Sequence, residues 1–225
     1  MPRPGRPVAS PASSAAALAP PWAAPVAVAA LLVGSLLAAL VWHATQLDQV
    51  DAWVLRWQEI AYTRAGGIAA IVSGTLTPVV LVTMAAGAAL AWLARRRDAV
   101  VLALAAAPAT LAVEVLLKRL VHRQWPGGPA LLFPSGHLAV ATAAALTAVL
   151  VLRVAPVAPR ARLVVAWLAG GFVLVIAVAR LVETVHSLTD LVGGGATGLV
   201  VTLGAALAIT AWSRRCDPGR PPAPR

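Results

Sequence analysis

The sequence predicts an all-α, polytopic membrane protein: six transmembrane helices, with a short interfacial helix between the first and second spans. Three observations predict it. Hydrophobic residues make up 60% of the chain and charged residues only 12%, about half the charge of a soluble domain. The mean hydropathy is +0.84. The apolar residues gather in six blocks, each near the ~20 residues that a helix needs to cross a bilayer.

The elements follow in order. Residues 1–21 are rich in Pro, Ala and Ser and read as a disordered leader. The first block, 22–44, reads as a retained span and not a signal peptide. It is long, and no small-x-small cleavage site precedes Gln46. Segment 47–61, "LDQVDAWVLRWQEIA", sets Leu47, Val50, Trp53, Val54, Trp57, Ile60 and Ala61 at helical spacing, with Asp48, Asp51, Arg56 and Glu59 mostly opposite. That pattern predicts an amphipathic helix lying on the membrane surface, its tryptophans at headgroup depth. Spans two to six are expected at 67–93, 99–117, 137–153, 163–179 and 188–212, and 213–225 is a polar tail. Together, 22–212 form one membrane domain.

Charge orients the spans. Arg3 and Arg6, Arg95 to Arg97, Arg153, Arg160 and Arg162, and Arg214, Arg215, Arg220 and Arg225 all fall on one side, twelve of the 18 basic residues. The positive-inside rule makes that side, and both termini, cytoplasmic. The formal charge of +10 therefore signals orientation, not nucleic-acid binding. The single cysteine, Cys216, excludes a disulfide framework and a cysteine metal site. The run "DLVGGGATGLV" (190–200) lacks the Gly-Lys-Ser/Thr ending of a nucleotide loop. Gly194 and Gly198 instead have the spacing that lets membrane helices approach closely.

Every histidine in the chain, His43, His122, His137 and His186, falls at or beyond the outer ends of spans, with Lys118 and Arg180. Three segments gather there: "KRLVHRQWP" (118–126), "PSGH" (134–137) and "ARLVETVHSLTD" (179–190). Lys118 and Arg180 are cations suited to an anionic group such as phosphate. Ser135 is placed as a helix N-cap. The backbone N–H groups of Gly136 and His137 then open the helix, a natural anion site. His186 and Asp190 are four residues apart and share a face if helical. A carboxylate on one imidazole nitrogen leaves the other free to attack, and His137 supplies a second imidazole for proton transfer. Simpler readings exist for each. Ser135 can be only a cap, "SLTD" (187–190) a capping box, and Lys118 and Arg180 snorkelling anchors. Glu114, inside a span one turn before Lys118, is expected to pair with it. The simpler readings do not account for two histidines, two cations and a Ser-Gly turn on one face.

These residues resemble the type-2 phosphatidic acid phosphatases, the lipid phosphate phosphatase superfamily, in a bacterial membrane member. The family pattern is Lys-x6-Arg-Pro, Pro-Ser-Gly-His and Ser-Arg-x5-His-x3-Asp. Lys118 and Pro126 fit the first motif, with Trp125 at its arginine. Pro134, Ser135, Gly136 and His137 complete the second. Arg180, His186 and Asp190 fit the third, with Ala179 at its serine. The resemblance implies a phosphatase acting on a lipid phosphate or pyrophosphate in the outer leaflet: undecaprenyl pyrophosphate, phosphatidate or phosphatidylglycerol phosphate. It implies that His186 forms a phosphohistidine, Asp190 orients it, and His137 protonates the leaving oxygen. Lys118, Ser135, Gly136 and Arg180 then hold phosphoryl oxygens, with no metal or other cofactor. Arg123, two residues before Trp125, is expected to replace the missing arginine at the phosphate. Two rival readings compete: a weakened relative that binds lipid phosphates, for which Trp125 speaks, and a transporter, which needs ionisable groups at mid-membrane depth.

Overall fold

The computed structural model describes residues 17–46, 49–124 and 130–216. Its elements are seven helices: α1 (Ala23–Leu40), α2 (Gln49–Gly74), α3 (Leu76–Leu93), α4 (Arg97–Val121), α5 (Gly136–Val154), α6 (Pro159–Val182) and α7 (Leu188–Cys216). Six stretches among them are long and apolar enough to cross a membrane: Ala23–Leu40, Ile60–Leu93, Arg97–Val121, Gly136–Val154, Pro159–Val182 and Leu188–Cys216. The protein is a multi-pass, all-α membrane protein. Helices suit this setting because a bilayer offers no water to satisfy backbone groups, and a helix pairs its own.

The second of these stretches departs from expectation. The surface helix expected over 47–61 does not stand apart from the span. It is the beginning of α2, which runs without a break to Gly74 and joins α3 across Thr75. Pro78 explains the interruption. It sits in the first turn of α3, where its missing N–H costs nothing, while its ring would clash with the carbonyl of Gly74 four residues earlier. The Thr75 hydroxyl donates to the Val72 carbonyl (2.6 Å) and closes the end of α2. Leu47 and Asp48 lie outside the described residues.

Helices α5 and α7 are the centre of the bundle. α5 packs against α3, α4, α6 and α7, while α7 also contacts α1 and α4, and α2 lies along α6. Two apolar clusters fill the interior, one around Leu102, Ala106, Leu150 and Leu203, the other around Val80, Ala141, Ile176 and Leu191. Small residues bring α5 and α7 together, as the Gly194 and Gly198 spacing predicts. A Cβ on Gly194 would lie 2.4 Å from the Ser135 carbonyl oxygen, and one on Gly198 2.4 Å from that of Ala139. The outward faces are apolar. Leu32, Ile71, Leu93, Trp167 and Leu168 are all exposed, an aggregating surface in water and an ordinary one against lipid tails.

The chain ends differ from the expected boundaries. Leu18, read as part of the leader, is buried in the core, and the Ala19 N–H donates to Thr210 Oγ1 (3.1 Å). At the other end α7 continues through Cys216. Residues 1–16 and 217–225, including Arg3, Arg6, Arg220 and Arg225, lie outside the described residues.

Candidate active site

One end of the bundle gathers the histidines, Lys118 and Arg180 singled out in the sequence. α4 delivers Lys118 in its last turn and ends at His122, whose left-handed backbone (φ 52°) turns the chain. Beyond it, the Gln124 N–H donates to the Ala44 carbonyl (3.0 Å) and the Leu132 N–H to the Arg123 carbonyl (2.9 Å). These bonds fix Arg123 against the bundle. α5 starts at Gly136. The segment between α6 and α7 carries Glu183 and His186, and the first turn of α7 carries Asp190.

Lys118, Gly136, His137, Arg180 and His186 line a single cavity of about 630 Å³. Glu114 sits at its wall and Leu76, Val80, Leu81, Met84, Leu111 and Val140 extend it between α3, α4 and α5. One end therefore carries two cations and two imidazoles, and the remainder is apolar. Lys118 Nζ lies 2.7 Å from Glu114 Oε1, the pairing expected from their spacing. Gly136 lies directly against this pair: a Cβ on it would lie 2.7 Å from that same Oε1 and would push the Glu114 carboxylate aside. Arg180 pairs with Glu183 Oε2, which also accepts from Ser73 Oγ of α2 (3.0 Å).

His186 is not on a helix with Asp190, as their spacing suggested. It lies in the bend just before α7. Its Nδ1 is 3.7 Å from Asp190 Oδ2, longer than a hydrogen bond. Gln58 of α2 donates to the His186 carbonyl (2.9 Å) and holds the bend from outside. The "SLTD" capping box forms. Ser187 N and Oγ donate to Asp190 Oδ2 (3.0 and 2.8 Å), and the Asp190 N–H points back to Ser187 Oγ (3.4 Å). Asp190 thus serves the cap and faces His186 with the same oxygen.

Two expected phosphate ligands stand elsewhere. Ser135 occupies the N-cap position of α5, but its side chain makes no cap hydrogen bond. It is fully buried, its N–H donates to the Asp190 carbonyl (2.9 Å), and it lies behind the cavity lining, against Gly194. Arg123 departs further. Its side chain is 1% exposed, and its two terminal nitrogens meet carboxylates: Nη1 lies 2.8 Å from Asp190 Oδ1, and Nη2 lies 2.8 Å from Asp51 Oδ2. Nη1 also donates to Ser187 Oγ and Thr189 Oγ1 (3.0 and 2.6 Å). The fork that sequence assigned to phosphoryl oxygens is committed to protein groups, because two carboxylates compensate the buried charge. Trp125 and Pro126 lie outside the described residues.

Sequence reasoning missed Asp51, Gln58, Thr189, Glu183 and Ser73. Asp51 was read as part of a solvated face, yet it is fully buried. It accepts from Thr189 Oγ1 and the Thr189 N–H (2.6 and 3.2 Å) as well as from Arg123. Its one signal was a carboxylate on the face of α2 opposite Trp53 and Trp57, which are both exposed.

Residues 122–214 match the PAP2 superfamily. The fold is similar to the crystal structure of the first transmembrane PAP2 type phosphatidylglycerolphosphate phosphatase from Bacillus subtilis. The TM-score is 0.64 at 18% identity, over 84% of this chain and 96% of that one. Comparison with curated protein sequences gives no significant match.

Proposed function

The chain belongs to the PAP2 superfamily, and from that premise we propose that it is a membrane phosphatase hydrolysing a lipid phosphate or pyrophosphate through a phosphohistidine. The observation that carries the reading is the cavity itself. Its head end holds Lys118, Arg180, His137 and His186, and its body is largely apolar and lies between helices long and apolar enough to cross a membrane. A ligand matching both ends is an anion on a hydrocarbon chain. A transporter reading fits less well, since Glu114, which lies inside a span, is already paired with Lys118 one turn on.

In the proposed reaction His186 Nε2 attacks phosphorus. The N–P bond forms as the bond to the lipid oxygen breaks, and His137 delivers a proton to that oxygen. Asp190, facing Nδ1, fixes the tautomer and supports the developing imidazolium charge. Lys118, Arg180 and the N–H groups opening α5 stabilise the phosphoryl oxygens as negative charge builds. Water, losing a proton to His137, then attacks phosphorus. The N–P bond breaks and inorganic phosphate leaves. Positive charge comes from side chains in this scheme, so no metal is needed. The charge pattern of the loops supports an outward-facing site with both termini cytoplasmic.

The test is phosphate release by the purified protein from phosphatidate, phosphatidylglycerol phosphate and undecaprenyl pyrophosphate, with and without EDTA. Release from at least one lipid, unchanged by EDTA and absent in His186→Ala, is expected. No release from any of the three would refute the phosphatase reading in favour of a lipid-phosphate binder. Loss with EDTA, restored by Mg²⁺, would refute the metal-free scheme alone.

A further inference from the structure

Arg123 joins two carboxylates that come from opposite ends of the sequence. Asp190 belongs to the first turn of α7, and Asp51 to the first turn of α2. All three side chains are at most 1% exposed. Thr189 ties the same groups a second time, since its hydroxyl donates to Asp51 Oδ2 and accepts from Arg123 Nη1. Asp51 is not among the residues that line the cavity. Its side chain reaches the site through Arg123 and the Ser187–Asp190 turn.

We propose that Asp51 is a positioning residue for the reaction: it anchors Arg123, which in turn holds the Asp190 carboxylate in the orientation that serves His186. The inference rests on the phosphatase reading above. Two physical points carry it. First, Asp190 Oδ1 is held by Arg123 while Oδ2 faces both Ser187 and the His186 ring. The direction in which Oδ2 points is therefore set at both ends of the carboxylate, by Ser187 on Oδ2 and by Arg123 on Oδ1. Second, a lone Arg123–Asp190 pair would leave the second terminal nitrogen of a buried guanidinium without its carboxylate. The fork is planar and rigid. With Asp51 on one prong, the other prong has one position; without it, the guanidinium is held at Nη1 alone, and a pivot about that end shifts Asp190 with it. A merely structural buried pair would not need to end on the residue that faces the nucleophile.

The test uses the full chain in detergent micelles with phosphatidate as the probe, or whichever of the three lipids the wild type hydrolyses. Asp51→Asn keeps the shape and one acceptor oxygen for Thr189 but loses the charge and the second acceptor. Its kcat should fall about 10- to 100-fold, the range for second-partner losses, with KM within a factor of two and near-wild-type thermal unfolding. Arg123→Ala should cost more, because it leaves two buried carboxylates facing one another. Adding Asp51→Asn to it removes one of them. The double variant should then recover at least threefold in kcat over Arg123→Ala, where independent structural damage would multiply the losses. Thr189→Val, which keeps volume and deletes the bridging hydroxyl, should lower kcat in the same direction and less; it decides the matter if Asp51→Asn does not fold. Unchanged kcat in Asp51→Asn, or in Thr189→Val where that variant must serve, would overturn the proposal, as would a loss confined to KM or multiplying losses in the double variant. Those results leave an active wild type and the phosphatase reading intact. A wild type inactive on all three lipids instead removes that reading and this inference with it.

Discussion

Substituting Gly194 by alanine tests whether the close approach of α5 and α7 sets the geometry of the site. The added Cβ would lie 2.4 Å from the Ser135 carbonyl oxygen, 3.2 Å from the Ser135 carbonyl carbon and 3.2 Å from its Cβ. The first contact is about 1 Å short of ordinary van der Waals separation. Two of these atoms are backbone, so no side chain can swing aside. The backbone that must move carries Ser135, Gly136 and His137 into α5, and the Ser135 N–H bond to the Asp190 carbonyl is in the same turn. Overpacking of this kind costs about 1–3 kcal/mol, against which alanine regains about 0.5–1 kcal/mol of helix preference. A net loss of about 1–2 kcal/mol is expected, visible as a lowered thermal midpoint. Activity should suffer more than stability. A misplacement of about 1 Å at a reacting group costs on the order of 10²-fold. Gly204→Ala is the control, since nothing lies within 4 Å of its added Cβ. The assay is phosphate release and thermal unfolding of both variants beside the wild type. Equal activity and equal midpoints for Gly194→Ala and Gly204→Ala would refute the idea that this contact holds the start of α5 in place.

Asp190→Asn should lower kcat by roughly 10³- to 10⁴-fold, as loss of an orienting carboxylate does in a serine protease; steady-state kinetics reads it, and a loss under tenfold would contradict the role given to Asp190. The orientation of the bundle is tested by thiol labelling in intact cells. The exposed native Cys216 is first replaced in a Cys216→Ser background. A cysteine at Gln124 should then react with an impermeant reagent while one at Pro159 should not, and the reverse pattern would turn the site to the cytoplasm.

The spans were legible because hydropathy needs no partner to be read. Five of the six blocks lie within a few residues of their helices, and the Pro-Ser-Gly-His run marked the start of α5 from a local pattern alone. The capping box at Ser187 and Asp190 and the pair of Glu114 with Lys118 were legible for the same reason, since both span one helical turn. The continuity of α2 was not. Polar residues between Trp57 and Ile68 break the apolar pattern, although the backbone stays helical until the Pro78 ring blocks it at Gly74. The Asp51–Arg123–Asp190 network was also hidden. Its partners lie 72 and 67 positions apart, and a charged residue on an amphipathic face reads as solvated until the helix that covers it is known. The same gap misplaced Arg123, whose proximity in sequence to Trp125 argued for a phosphate ligand while its two carboxylate partners were out of view.

The central claim is that His186 carries the phosphoryl group. Rapid mixing of the purified protein with lipid labelled in its terminal phosphate, followed by alkaline quench, tests it most directly. A phosphoryl-enzyme stable to alkali and labile to acid should appear in the wild type and be absent in His186→Ala. Label retained in His186→Ala, or a wild type that releases phosphate without ever becoming labelled under single-turnover conditions, would contradict it.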